Sequence, residues 1–267
     1  MKIIFVTGDH PRHSYMARQL HKTGFLSTVI VQKREEFNPK PPENLDEETK
    51  NLFMHHFSER NRVENEMFGE KEWPDSNILE VNKSELNSSK MQTFLKKNNP
   101  DLLFSYGCNI LSDDTLACVN GEKWNCHGGL SPWYKGSATH FWPSYMLEPQ
   151  YTGVTIHDLI ARADAGSIVH QCTSDLVRGD SLHMLGARSI IKISSEIPKL
   201  IALLQINKNL EKKVQKTSGM LWLDSKWKPH HLHLIYKTYN DNIVDLYLDG
   251  EFPGKNPKLH RQDINKL

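Results

Sequence analysis

Asn125 and His127 stand two residues apart at the end of a short run, Trp124 to His127, that reads as a strand. Alternate residues of a strand share one face, so the amide and the imidazole project together. That pair suits acyl transfer: the amide N–H stabilises a developing oxyanion while the imidazole handles a proton. Downstream lie Gly128-Gly129-Leu130-Ser131-Pro132-Trp133-Tyr134-Lys135-Gly136, then Gly153-Val154-Thr155-x-His157, then Ala163-Asp164-Ala165-Gly166. A carboxylate such as Asp164, brought alongside by the next strand and turn, would orient the imidazole and raise its pKa. Glycines around both segments let backbone approach a ligand closely. Two polar residues at a strand end are also a common structural pair, so on spacing alone both readings stand.

The elements that must carry these residues can be read in order. Residues 2–6 form a buried strand running into Thr7-Gly8. A helix over residues 14–21 and a strand over 25–31 follow, the start of a parallel sheet with crossover helices. Asn38 to Pro42 is an extended, proline-rich connector. Residues 45–69 read as one long polar helix whose charges, Glu59, Arg60, Arg62, Glu64 and Glu66, form a solvated face. Strands are expected at 77–81, 102–107, 152–160 and 167–172, and helices at 85–97 and 137–147. Residues 181–207 form an amphipathic helix capped by Gly179-Asp180, which Pro198 should kink or split. After Thr217 the texture changes to Trp222, Trp227 and a His-rich stretch, read as a small appendage.

Composition bounds what the chain can be. Its 267 residues carry 33 Lys+Arg against 32 Asp+Glu, a net charge of +1 that offers no nucleic-acid footprint. No apolar run approaches the roughly 18–20 residues of a membrane span, and the short apolar start is no secretory signal. A cytoplasmic location is therefore expected. The four cysteines, Cys108, Cys118, Cys126 and Cys172, show no C-x-x-C spacing and are read as reduced.

The segments 125–136 and 153–168 together resemble the signature of formyltransferases that use N10-formyltetrahydrofolate: an Asn-x-His pair, a Leu-x-Pro-x-Tyr-x-Gly loop, a Gly-Val-Thr segment and an Asp-x-Gly turn. Pro100 to Gly107, continuing through Ile110-Leu111, resembles the folate-side strand and loop, and the likeness extends over about residues 2–205. The resemblance implies a Rossmann-like, mostly parallel α/β sheet with flanking helices. It divides the chain into a catalytic domain at 1–210 and a C-terminal appendage at 217–267. It implies Asn125, His127 and Asp164 as the catalytic set, and a folate site from Ser105, Tyr106, Gly107, Cys108, Ile110 and Leu111 with Arg162, Ala163 and Gly166. Gly8, His10, Arg12 and His13, with Tyr134, occupy the place where relatives hold the amine substrate. The implied reaction is direct attack of a primary amine on the formyl carbon of N10-formyltetrahydrofolate, with no metal. Ser131, Trp133 and Cys108-Asn109 depart from the common pattern.

Gly128, the short C-terminal segment and the neutral charge favour a nucleotide-linked amino sugar, a surface-polysaccharide precursor, over glycinamide ribonucleotide or methionyl-tRNA. A homodimer is left open. Other readings are weaker. Gly8-Asp9-His10-Pro11 faintly resembles the loop of zinc-dependent sugar deacetylases, but Arg12-His13 stands where the carboxylates should be. His230-His231-x-His233 and His55-His56 have no obvious carboxylate at matching spacing. A non-catalytic folate or sugar-nucleotide binder would not need the intact catalytic set, and formyltetrahydrofolate hydrolases usually carry an extra N-terminal domain.

Overall fold

The computed structural model describes residues 1–33, 38–207, 210–216 and 219–264; Thr217, where the texture changes, lies outside them. Strand β1 (Ile3–Thr7) is wholly buried. Its period-two pattern sends Ile3 and Phe5 into one core and Ile4 and Val6 into another. Around it the sheet order is β3 (Asn77–Val81), β2 (Leu26–Gln32), β1, β4 (Leu102–Tyr106), β5 (Glu122–His127), β7 (Gly153–Asp158) and β8 (Ile168–Thr173). The first five strands are parallel, β7 runs antiparallel to β5, and β8 runs antiparallel to β7. Helices α1 (Pro11–His21) and α6 (Leu182–Ile206) pack on one face through Met16, Leu20, Ile190, Ile193 and Ile197. Helix α3 (Ser89–Asn98) and the short α4 (Asp113–Leu116) cover the other through Met91, Leu95 and Leu116. The expected mostly parallel α/β sheet with flanking helices is the fold.

Several local expectations are corrected. The helix read from residue 85 begins at Ser89, because Asn82 Oδ1 takes the Ser84 and Glu85 N–H groups in a turn and Ser88 is the cap. The helix expected over 137–147 shrinks to α5 (Trp142–Tyr145), preceded by β6 (Tyr134–Gly136), since Ala138 sits at φ 54°. Ser181, not Gly179-Asp180, caps α6 by accepting the Met184 N–H. Pro198 does not split α6; the buried row Ile190, Ile193, Ile197, Leu200, Ile201 and Leu204 holds it against the sheet, so packing overrides the lost hydrogen bond.

Helix α2 (Glu47–Phe68) starts at the Asp46 cap and buries Phe53, His56, Val63, Glu64 and Phe68. It is thus less solvated than its charges suggest, although Arg62 does pair with Glu59 and Glu66 on its outer face. The C-terminal segment wraps back over the body. Strand β9 (Met220–Trp222) pairs with β6, and α7 (Ile243–Leu248) contributes Ile243 to a cluster with Phe53, Phe141, Trp142 and Leu182. Near its end His260 N–H and Gln262 N–H bond Gln171 and His170 on β8, while Arg261 pairs with Glu196 of α6. No helix among the described residues is long and apolar enough to cross a membrane.

Asp241 ties this segment to α6 by accepting the Leu182 N–H at 2.9 Å. Burial pushes its carboxyl up to about 7, the hydrogen bond opposing and Glu59 adding to the rise. An unfolded aspartate ionises near 3.9, so from about there to pH 7 the unfolded chain releases a proton that the folded chain keeps. Stability from this group falls across that window and levels off above it. Asp241→Asn keeps an acceptor oxygen and removes the titration. Its melting temperature relative to wild type is expected to climb between pH 4 and 7, by about 2–4 °C for each kcal/mol in a chain of this size. Thermal melts across pH 4–9 measure this, and a gap that narrows with rising pH would contradict it.

Candidate active site

The C-terminal ends of β4 and β5, with the start of α1, open into one cavity of about 1200 Å³. It lies where the strand order reverses, since β2 and β3 extend one way from β1 and β4 and β5 the other. Asn125 and His127 leave the end of β5 on the same face, as their spacing predicts. The antiparallel register then sets His157 of β7 directly opposite Asn125. The loop between β7 and β8 carries Asp164 back toward both.

Hydrogen bonds fix the Asn125 amide. His157 Nδ1 lies 2.8 Å from the Asp158 carbonyl, which can only accept, so in the neutral ring Nε2 holds the lone pair. Asn125 Nδ2 donates to that Nε2 at 3.1 Å, and Asn125 Oδ1 accepts from Ser105 Oγ at 2.8 Å. The amide cannot flip without breaking both, so one Nδ2 hydrogen remains for a ligand in the cavity. Ser105, expected on the folate side, acts here through Asn125.

Asp164 Oδ1 lies 3.3 Å from His127 Nδ1 and 3.4 Å from His157 Nε2, and its Oδ2 accepts the Gly136 N–H at 2.7 Å. Burial would raise this carboxyl, but His127, His157 and the Gly136 N–H outweigh it and hold it at about 2. The residue sits at φ 46°, a left-handed conformation that Asp and Asn tolerate better than other side chains. Gly166 follows because any Cβ there would collide with the Asp158 carbonyl. Gln215 Nε2 bonds the carbonyls of Asp164 and Gly166 from the C-terminal segment.

His127 Nε2 lies 2.8 Å from the Tyr134 carbonyl, an approach that a side chain at Gly129 would block at 2.6 Å from Nε2. Both ring nitrogens thus face acceptors, and only the imidazolium satisfies both. Burial nevertheless lowers the His127 pKa, with Asp164 and the Tyr134 carbonyl opposing, so the resting ring is neutral. The geometry favours a proton arriving; the burial keeps it away until one does.

The remaining sequence candidates divide. Tyr106, Gly107, Cys108, Ile110, Arg162 and Ala163 line the cavity, as do Arg12 and His13. Leu111 is buried in the core under β4, and Gly166 lies behind the Asp164 loop. Gly8 donates its N–H to the Tyr106 carbonyl, His10 is buried, and neither lines the cavity. Arg12 is paired with Glu64 and contacts His10 Nδ1. Tyr134 is turned away, its hydroxyl donating to Glu148 at 2.6 Å; its backbone carbonyl, not its phenol, serves the site. Among the described residues no three His, Cys, Asp or Glu side chains converge as metal ligands.

Six histidines reach the cavity wall: His13, His56, His127, His140, His157 and His183. Sequence reading singled out His127 and gave His157 no role, because its partner Asn125 is set by strand register rather than local spacing. His140 packs against Gly186 of α6, bonds Ser189 Oγ at 3.2 Å, and is driven down to about 4 by burial, with Arg12 and His127 adding.

Comparison with known proteins gives the family and the fold. The family model described as formyl transferase matches residues 1–198. A 4-N formyltransferase from Francisella tularensis is 16% identical with a TM-score of 0.55, covering 85% of this chain and 78% of that one. The formyltransferase PseJ from Anoxybacillus kamchatkensis, solved with UDP-4,6-dideoxy-4-formamido-L-AltNAc and tetrahydrofolate, is 18% identical with a TM-score of 0.53, covering 91% of this chain and 97% of that one. Phosphoribosylglycinamide formyltransferase from Anaplasma phagocytophilum is 17% identical with a TM-score of 0.55, covering 84% and 98%. At these identities the solved structures share the fold, and it is the family match over residues 1–198 that places the chain among the formyl transferases.

Proposed function

We propose that the chain transfers a formyl group from N10-formyltetrahydrofolate to the primary amine of a nucleotide-linked amino sugar, a cytoplasmic step toward a surface polysaccharide. The observation that carries this is the locked Asn125 amide beside the His127–Asp164 pair on a cavity of about 1200 Å³. That volume exceeds a usual single-ligand pocket of roughly 300–1,000 Å³, leaving room for a donor and a large acceptor together.

The wall beside β4 suits a pterin. Ile110 and Ile160 stay 54% and 38% exposed there and, with Leu159, offer an apolar platform beside residues 107–109 and 162–163 of the cavity lining. Bound there, the folate supplies the formyl group. Asn125 Nδ2 donates to the formyl oxygen as negative charge grows on it. Asp164, ionised and touching both imidazoles, receives the proton that the attacking amine sheds and relays it to His127. His127 then donates from both nitrogens, to Asp164 and to the Tyr134 carbonyl, and the proton returns through Asp164 to the departing nitrogen. His157 holds the amide in the orientation this requires. The acceptor preference rests on the sequence features given above and on the sugar substrate named for the Anoxybacillus neighbour.

A screen of UDP-, dTDP- and GDP-linked amino sugars with N10-formyltetrahydrofolate tests the reading, formylated product being read by mass. Product from glycinamide ribonucleotide instead of any sugar nucleotide would overturn it. Asp164→Asn keeps a left-handed-tolerant residue and is expected to lower kcat by about 10²–10⁴-fold. The pH profile follows from the shifts. His127 must be neutral to take a proton, so activity falls as pH drops through its pKa, which burial sets below 6.5. Removing the Asp164 charge takes away a group that raises that pKa, so the acid limb of Asp164→Asn should move to lower pH; movement upward would contradict the coupling. His157→Phe removes the acceptor of the Asn125 amide, and a kcat loss of about 10-fold or more is expected with KM for the folate nearly unchanged. Wild-type turnover in that variant would show that His157 does not position the amide.

A further inference from the structure

The cavity extends well past the catalytic residues to an end built by α2, the start of α6 and the C-terminal segment. There Trp227 lies 6.1 Å from Phe57 and 6.2 Å from Phe53 between ring centroids, forming an aromatic wall. His183 stacks obliquely on His56 at 4.5 Å. Its ring is hydrogen-bonded to the His56 backbone, whose carbonyl can only accept, so Nδ1 carries the proton and Nε2 the lone pair. That Nε2 is buried with no hydrogen-bond partner on a side chain that lines the cavity. Burial first, and then the charge of Arg60, keeps the ring far below its usual pKa, near 3, so Nε2 remains an acceptor throughout the neutral range. Arg60 itself lies over the Phe57 ring at 4.7 Å and lends this end a positive charge.

An unmet acceptor beside aromatic faces, near a cation, describes the chemistry of its complement. We propose that this end is a distal acceptor subsite that holds a ring bearing an O–H or N–H donor, the base or the hexose of an anionic sugar nucleotide. The wall of Trp227 and Phe57 packs against one side of that ring, and His183 Nε2 accepts its hydrogen. The subsite rests on the proposed sugar-nucleotide substrate, and it gives α2 and the C-terminal segment a share in choosing the acceptor.

Binding without turnover separates the two ideas. The intact chain, with Trp227→Ala and His183→Phe, is titrated calorimetrically with UDP-N-acetylglucosamine, dTDP-glucose and GDP-mannose, which lack a free amine. Whichever binds is then replaced by its free nucleoside diphosphate and by its hexose 1-phosphate. Both variants are expected to weaken the sugar nucleotide about tenfold or more, equivalent to about 1.4 kcal/mol, while tetrahydrofolate affinity stays within about twofold of wild type. Trp227→Phe, which keeps an aromatic face, should recover much of the loss. A loss carried by the diphosphate places the base in the subsite, and one carried by the hexose phosphate places the sugar there. Unchanged sugar-nucleotide affinity in both variants overturns the subsite and leaves the substrate reading intact. Equal weakening of tetrahydrofolate also overturns it. Failure of wild type to bind any of the three overturns both.

Discussion

A single carboxylate organises this molecule's chemistry. Asp164 sets one oxygen within 3.4 Å of two imidazole rings and gives the other to a backbone N–H, and it stays ionised in a place where burial by itself raises its pKa. Three segments distant in sequence must arrive together for that to hold: the end of β5 with His127, the β7 position of His157, and the β6 turn with Gly136. A buried charge missing any of these partners would be costly, so the geometry of the loops is enforced by electrostatics as much as by packing. The left-handed backbone at Asp164 is a local cost that the same partners offset.

The sheet makes this arrangement precise where loops alone would not. Parallel strands deliver the start of α1 and the loop after β4 to one opening, and the antiparallel β7 then places a side chain against β5 in fixed register. Behind the opening, Gln32 at the end of β2 exchanges two 2.7 Å hydrogen bonds with Asn109, tying down the loop that follows β4. Gln171 and Thr155 do the same for the loop after β5 by bonding the backbone of Ser131. Rigid strands thereby hold residues that sit on irregular backbone.

What the sequence disclosed follows from how local each signal was. Buried strands such as Ile3–Thr7 and Leu102–Tyr106 were legible as apolar runs, and Asn125 and His127 as a pair on one face. His157 stood in a recognisable segment, yet its partnership depends on register across two strands, which no local spacing reveals. The charges of α2 implied a solvated helix because Arg12, the partner that buries Glu64, lies 52 residues away. Tyr134 was misplaced for a related reason: a tyrosine in a functional loop draws notice to its phenol, while the atom used is the carbonyl. Pro198 shows the opposite bias, a strong local signal overruled by the buried face of α6.

The C-terminal segment reaches the site in several places. Gln215 holds the Asp164 turn, β9 pairs with the strand that presents the Gly136 N–H, and Trp227 lines the cavity. A chain is synthesised from its N-terminus, and its domains condense as units while it emerges. Every residue of the seven-stranded sheet and of α6 is synthesised before any of these. The nascent protein therefore holds all three of Asn125, His127 and Asp164 for a time without the turn that aims the carboxylate being secured. A chain cut before Gln215 would keep all three side chains and lose the two hydrogen bonds that hold the Asp164 turn.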